Sequence, residues 1–265
     1  MKFRFNRKHL GIPYGVFLVC FVIIPMLVIV FYAFTTETDG VLSFSFANFG
    51  KFFSDPTKIS TIVYSIVIAL ITTFFTLLIA YPAALILARS KMKRVHVLVL
   101  LFVTPMWINF VLRVNAVREL LGLIGLLGEA NYFNTILGMV YDFLPFMILP
   151  LYTTMTKIDN SLYEASADLG GNAFTTFTKV TLPLSMPGIL SGITMVFLPS
   201  MTNYVVSDML GNSMVTIVGK FIETYFGTDW HMGSLIALIL LIVVFAASLL
   251  SGGYKSENNV RGANL

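Results

Sequence analysis

The side chains best suited to chemistry in this sequence are polar groups that lie within or beside long apolar runs. Because a polar group at that depth is costly, it indicates a function. Five residues are candidates for the path of a polar solute: Asn109, Asp142, Asn203, Tyr204 and Asp208. In the stretch YVVSD, a carboxylate beside the Tyr204 ring can attract an ammonium group through its charge and through the ring face.

Two of these candidates also have a structural explanation. Asp208 could be a solvated residue beyond the end of an apolar segment. Asp142, in the stretch YDFLPF, could pair with Arg113 or Arg118. The sequence leaves both alternatives open.

Enzymatic chemistry finds no support in the residue types and their spacing. Cys20 is the single cysteine, which excludes a disulfide within the chain and a cysteine metal site. The three histidines are far apart and show no ligand spacing: His9, His96 and His231. We therefore expect no catalytic residue and no metal site, and a chain that is not an enzyme.

Nucleotide binding is not expected either. A Walker A loop requires the pattern G-x-x-x-x-G-K-[ST]. The two Gly-Lys pairs are Gly50-Lys51 and Gly219-Lys220. Each pair is followed by Phe and lacks the earlier glycine, so we expect no cofactor in this chain.

The composition places these residues in a membrane protein. Of 265 residues, 57% are hydrophobic and 11% are charged, whereas soluble domains average about 25% charged residues. Apolar runs of nearly 20 residues recur, which is typical of transmembrane helices. We predict an all-α membrane protein with about six spans, near residues 11–34, 59–88, 95–112, 135–152, 188–206 and 233–250.

Basic residues predict the orientation of these spans. Both tails and the second–third and fourth–fifth connections hold twelve of the 17 Lys and Arg residues: Lys2, Arg4, Arg7, Lys8, Arg89, Lys91, Lys93, Arg94, Lys157, Lys179, Lys255 and Arg261. We therefore predict that both termini are cytoplasmic. Acidic residues collect on the other side, either as a mouth that attracts cations or simply because loops are solvated.

A polar segment between the fourth and fifth spans has the signals of a short helix. Ser161 and Glu164 match the S-x-x-E capping box, which predicts a helix over residues 162–169. Gly170-Gly171 then allows left-handed backbone and ends that helix. Four small or apolar residues share one face: Leu162, Ala165, Ser166 and Leu169.

A second short helix is predicted to follow at once. Asn172 is suited to cap it, and Pro183 and Pro187 are expected to end it before the fifth span. Isolated helices this short are marginal in water, so the pair needs a partner surface.

The spacing in this segment resembles the EAA motif of ABC importer permeases. The residues that match are Glu164, Ala165, Gly170, Leu182 and Pro183, while Ser166 and Val180 replace the motif's second Ala and its Ile. The resemblance covers most of the chain, through stretches such as YPAALILAR, TPMWINFVLRVNA and LPFMILPLYTTM. It is greatest for permeases of the polyamine type, which carry spermidine and putrescine.

The resemblance implies a type I ABC importer fold in a bacterial plasma membrane. It implies a tail, first span and outer loop over 1–58, a permease domain over 59–251 with a coupling helix near 161–171, and a cytoplasmic tail over 252–265. The implied partners are a second homologous permease, a cytoplasmic ATPase dimer that binds ATP and Mg, and an extracellular or periplasmic solute-binding protein, with no nucleic acid. The implied ATPase-coupling residues are Glu164, Ala165, Leu169, Gly170, Leu182 and Pro183.

Two alternatives remain at this stage. Related permeases carry sulfate, ferric iron or other solutes. A stand-alone secondary transporter would instead need its own coupling-ion site or matching broken helices in two halves. Few charges lie at the predicted span centres, which disfavours the second alternative.

Overall fold

A computed structural model describes residues 7–38, 40–90, 94–127, 131–211 and 215–250. The predicted tail over 252–265 lies outside the described residues. So do six basic residues used to predict the orientation: Lys2, Arg4, Lys91, Lys93, Lys255 and Arg261.

Helices dominate the described part of the chain. The α-helices are α1 (Arg7–Leu18), α2 (Ile24–Ala33), α3 (Ala47–Phe53), α4 (Pro56–Arg89), α5 (Val95–Val103), α6 (Phe110–Leu123), α7 (Asn131–Met155), α8 (Asn160–Asp168), α9 (Ala173–Thr176), α10 (Leu182–Thr202), α11 (Tyr204–Leu210), α12 (Val218–Thr228) and α13 (Trp230–Leu250). Two π-helical segments, Val19–Ile23 and Phe177–Thr181, and the 3₁₀ turn Thr104–Trp107 join some of them.

The spans predicted from hydropathy are present. In the described residues, five helices are long and apolar enough to cross a membrane: Ile12–Ala33, Pro56–Arg89, Asn131–Met155, Ala173–Thr202 and Trp230–Ala247. A bent pair, Val97–Trp107 with Phe110–Leu123, gives a sixth if it counts as one span. With 34 residues, α4 is about 51 Å long. It exceeds the bilayer core of about 30 Å, as expected for a span that tilts or protrudes.

The chain divides into two compact units, and the first combines Met1–Ser60 with Phe221–Val243. It contains a hairpin that the sequence did not predict, in which β1 (Thr35–Thr38) pairs antiparallel with β2 (Val41–Phe44). Stacked and edge-on rings pack at the base of the hairpin: Phe34, Phe44, Phe46 and Phe49.

The second unit combines Thr61–Lys220 with Val244–Leu265. Its core is built around α7, whose buried side chains include Met139, Met147, Ile148 and Leu151. Helix α10 packs closely on α7 through small residues. A Cβ at Gly188 would lie 2.8 Å from Thr154 Oγ1, and one at Gly192 would collide with Met147 Sδ. This small-xxx-small pair therefore serves helix packing.

The third predicted span, 95–112, is wrong as a single helix. The chain leaves the 3₁₀ turn at Trp107, extends through Ile108 and Asn109, and restarts as α6 at an angle of 97°. Pro105 lies in that turn and has no N–H to donate. The Asn109 side chain accepts from the Val111 N–H at 2.9 Å and so caps the new helix.

The fifth predicted span, 188–206, is wrong at both ends. The helix runs unbroken from Ala173 to Thr202, so Pro183 and Pro187 do not end a separate short helix. The ring of Pro183 would clash with the carbonyl four residues earlier in a regular α-helix. The wider π turn over Phe177–Thr181 includes that carbonyl and lets the helix continue. The C-terminal break is at Asn203, and α11 follows it.

A buried ion pair joins α6 to α7. Arg113 Nη2 lies 2.7 Å from Asp142 Oδ1, and the two side chains are 7% and 4% exposed. The atoms are not aligned for a hydrogen bond, and Arg113 Nε and Nη1 have no hydrogen-bond partner in the described residues. Asp142 thus makes the pairing with Arg113 that the sequence left open.

We predict that Asp142→Asn destabilises the protein by about 3–5 kcal/mol, because it leaves the Arg113 charge buried without a counter-ion. The double variant Asp142→Leu with Arg113→Met should restore most of the loss, since an apolar pair of similar volume needs no compensation. Melting temperatures in detergent test both. A single variant as stable as the wild type contradicts the prediction.

We also predict that Gly192→Leu costs about 1–3 kcal/mol, because the added side chain separates α10 from α7. Gly15→Leu is the matched control, since nothing lies within 4 Å of a Cβ at Gly15. Thermal unfolding followed by size-exclusion chromatography measures the difference. Equal losses in the two variants are incompatible with close packing at Gly192.

Candidate functional site

The EAA-like segment begins with a cap at Asp159 and not at the predicted Ser161. Helix α8 starts at Asn160, and the Asp159 carboxylate accepts from the Ser161 N–H at 2.9 Å. This backbone donor lowers the pKa of the Asp159 carboxyl. The predicted capping box is therefore wrong, because Ser161 already lies in the first helical turn. Asp159 has the more favourable geometry because it is extended, with ψ at 137°.

The predicted end of α8 is confirmed. Gly170 has a φ of +74°, the left-handed region that favours glycine. The Gly171 N–H donates to the Ser166 carbonyl at 2.8 Å and the Gly170 N–H to the Ala167 carbonyl at 2.9 Å. These two bonds form a Schellman motif. A Cβ at Gly171 would lie 2.6 Å from Ser166 Oγ, so the turn also needs this glycine for space.

The second helix begins as predicted and is tied to the first. The Asn172 side chain accepts from the Thr175 N–H at 2.8 Å. Ser166 Oγ lies 2.8 Å from Thr176 Oγ1, which joins α8 to α9. Ser166 occupies the position of the motif's second Ala, so this departure from the pattern adds a hydrogen bond between the two helices.

Contacts of Arg89 and Tyr81, which were not predicted from the sequence, hold the segment to α4. The Arg89 guanidinium carbon lies 3.9 Å from the ring centroid of Tyr163, which is buried. Further along the segment, Tyr81 packs edge-on against Phe177, and its hydroxyl lies 3.0 Å from Ser185 Oγ. Two features of the sequence could have indicated the first contact: Tyr163 is an aromatic residue directly before Glu164, and Arg89 is an arginine at the end of the second span.

The rest of the segment presents apolar side chains to its surroundings. Leu169 is 88% exposed and Phe174 is 73% exposed, and Leu162 is also exposed. Glu164, Ala165 and Gly170 are exposed on the same segment. Leu182 and Pro183 are the first two residues of α10 and directly follow the π segment.

The structure brings together only part of the predicted solute path. Tyr204 and Asp208 lie one turn apart on α11, and both face Lys220 of α12. Lys220 Nζ is 3.1 Å from Asp208 Oδ2 and 5.4 Å from the Tyr204 ring centroid. Asn203 is half-buried and lies at the break between α10 and α11. Lys220, twelve positions after Asp208, was not among the predicted site residues.

The other two path candidates lie in different surroundings. Asn109 is exposed and caps α6, and Asp142 is buried against Arg113. Their part in a solute path remains a prediction.

The described residues contain no cluster of three or more His, Cys, Asp and Glu side chains that could hold a metal ion. Both Gly-Lys pairs lie in helices, Gly50-Lys51 in α3 and Gly219-Lys220 in α12. A phosphate-binding loop needs a glycine-rich turn before its helix, so neither pair has that geometry.

Comparison with known proteins identifies the family, although no protein-family model matches the chain. The chain is 35% identical over 262 residues to the spermidine/putrescine transport system permease protein PotB of Haemophilus influenzae, covering 91% of each chain. It is 33% identical over 247 residues to the PotB protein of Escherichia coli, covering 86% of this chain and 90% of that one.

Solved structures show the same fold. The chain matches the structure of a bacterial alginate ABC transporter in complex with an alginate-pentasaccharide-bound periplasmic protein, with a TM-score of 0.73 at 15% identity over 94% of this chain and 93% of the other. The predicted type I importer fold is thus confirmed. The chain is a multi-pass membrane transport subunit that belongs to the PotB family of ABC importer permeases.

Proposed function

We propose that this chain forms part of the membrane path for spermidine and putrescine in an ATP-driven importer. It works with a second homologous permease, receives cargo from an external binding protein and is driven by a separate cytoplasmic ATPase dimer that binds ATP and Mg. The names of its PotB relatives support the choice of cargo. The structure of the alginate ABC transporter in complex with a pentasaccharide-bound periplasmic protein supports the delivery step.

The observation that carries the proposal is the exposed apolar surface of the capped helix pair α8–α9. Exposed apolar patches on rigid elements mark interaction sites. Here Leu162, Leu169 and Phe174 project from a backbone already fixed by the Asp159 cap, the Schellman turn and the Asn172 cap. A partner therefore docks on this surface without first ordering it, which favours affinity. The ATPase is the partner that the EAA-like spacing indicates.

The contacts of Arg89 and Tyr81 with this segment transmit movement from the docked partner to the spans. Because Tyr163 is buried under Arg89, a displacement of α8 acts directly on the end of α4. The Tyr81–Ser185 contact and the continuous helix through the π segment connect it to α10. Closure of the ATPase then shifts the spans from one packing arrangement to the other.

The cargo side of the proposal relies on Tyr204 and Asp208. A carboxylate and an aromatic ring face both attract ammonium groups, and α11 presents the two on one face. An anion such as sulfate would be repelled by the carboxylate, which disfavours that alternative. The breaks at Asn109 and Asn203 are also found in secondary transporters, but the family of this chain argues against an independent coupling ion.

For coupling, we predict that Leu169→Arg abolishes co-purification of the ATPase and reduces uptake by at least tenfold, because a charge replaces an apolar anchor. Leu169 is 88% exposed, so the variant should insert and fold normally. Affinity purification of the tagged permease with quantification of the ATPase measures the effect.

The matched control is Leu123→Arg, which places the same charge at a leucine 83% exposed at the end of α6. This end lies on the predicted outer side, so the control should retain the ATPase. Normal recovery of the ATPase with the Leu169→Arg variant would contradict the docking proposal.

For cargo, we predict that the wild-type chain restores radiolabelled spermidine and putrescine uptake to cells that lack their own permease. Asp208→Asn should lower the initial rate about two- to fivefold, since the loss of one partly exposed charge contact is worth up to about 1 kcal/mol. Glu119→Gln, an exposed residue on the predicted outer part of α6, removes the same charge and should have no effect. Absence of polyamine uptake by the wild type refutes the cargo.

A further inference from the structure

The ammonium site at Tyr204 and Asp208 already holds a cation of the chain itself. The Lys220 ammonium lies 3.1 Å from Asp208 Oδ2 and 5.4 Å from the Tyr204 ring centroid. It therefore makes both of the contacts that a solute ammonium would make there.

The pair is accessible rather than sealed. The Lys220 and Asp208 side chains are 36% and 33% exposed, unlike the buried Arg113–Asp142 pair. Partly exposed ion pairs contribute little to stability because water competes for both groups. A second ammonium group can thus take the place of Lys220 at low cost.

The backbone beneath Lys220 is fixed, so exchange involves only its side chain. The Val218 N–H donates to the buried Ser65 Oγ at 2.7 Å. Gly219 lies so close to the Thr202 carbonyl that a Cβ there would collide with it. Lys220 therefore extends from an anchored helical turn on a flexible stem of four methylene groups.

We propose that Lys220 is a tethered substitute for the cargo: its ammonium occupies the Asp208–Tyr204 site when no polyamine is present and is displaced by the primary ammonium end of an arriving polyamine. The inference rests on the proposed function. The chemistry matches because lysine and putrescine both end in a primary ammonium on a chain of methylene groups, so the same carboxylate and ring accept either. The substitute keeps the Asp208 charge compensated between transport events.

The test measures equilibrium binding of radiolabelled spermidine to the assembled transporter in lipid nanodiscs, without the binding protein. Lys220→Met should lower the Kd about two- to fivefold, because it removes a competitor of the strength of a partly exposed ion pair. Lys220→Arg keeps the charge and should bind nearly as the wild type does. Asp208→Asn should bind more weakly, and Asp208→Asn with Lys220→Met should match Asp208→Asn alone.

Chemical restoration of an ammonium group at position 220 distinguishes the effect of losing the Lys220 charge from damage to the fold. In a Cys20→Ala background, Lys220→Cys is modified with an aminoethyl or with a methyl thiosulfonate reagent. The aminoethyl product regains an ammonium and should recover the wild-type Kd, whereas the neutral product should keep the tighter binding. Equal Kd values for the two products, or wild-type or weaker binding by Lys220→Met, overturn the proposal.

The two proposals fail in different ways. If the cargo is wrong, the wild type shows no polyamine uptake and neither it nor Lys220→Met binds spermidine. If only the tethered substitute is wrong, wild-type uptake is normal and Lys220→Met binds no more tightly.

Discussion

The constraint on which this structure depends is that backbone N–H and C=O groups within a bilayer must find partners in the protein. Long helices meet this requirement over most of the chain, and two departures from regular α-helix meet it through local hydrogen bonds. At the bend between α5 and α6, the Asn109 side chain takes up an N–H of the new helix. At the entry to α10, the Leu182 N–H donates five residues back to the Phe177 carbonyl. Two of the candidate residues, Asn109 and Leu182, therefore lie at these departures.

The EAA-like segment is stabilised differently, because it is exposed on the predicted cytoplasmic side. Its helices are too short to be stable alone, so caps and a Schellman turn fix their ends and Tyr163 anchors α8 under Arg89. Rigidity achieved in this way leaves the apolar side chains Leu169 and Phe174 available for a partner. A flexible loop with the same residues would dock with a larger loss of entropy and would transmit less movement.

The two acid–base pairs of the second unit show how solvent access separates structure from function. Arg113 and Asp142 are both buried, so each needs the other to offset the cost of desolvation. Lys220 and Asp208 keep about a third of their side-chain surface, so their contact is replaceable. Both pairs join a basic side chain to a carboxylate, and their different solvent exposure determines which pair can exchange a partner.

Much of this architecture could be read from the sequence, because hydropathy and capping signals act locally. The apolar runs predicted the spans, Gly170-Gly171 predicted the end of α8, and Asn172 predicted the start of α9. The EAA-like spacing indicated the family that the PotB relatives confirm. These features depend on residues within a few positions of one another.

What depended on the tertiary structure involves residues distant in sequence or competition between local signals. The sequence offered Arg113 and Arg118 equally as partners for Asp142, and only the packing of α6 on α7 selects Arg113. Asp159 replaced Ser161 as the cap because of its backbone angles, which composition does not reveal. Pro183 predicted a helix end, but the helix continues through a π turn at Phe177–Thr181. The contact between Lys220 and Asp208 joins two residues twelve positions apart on different helices, and spacing alone does not fix such a contact.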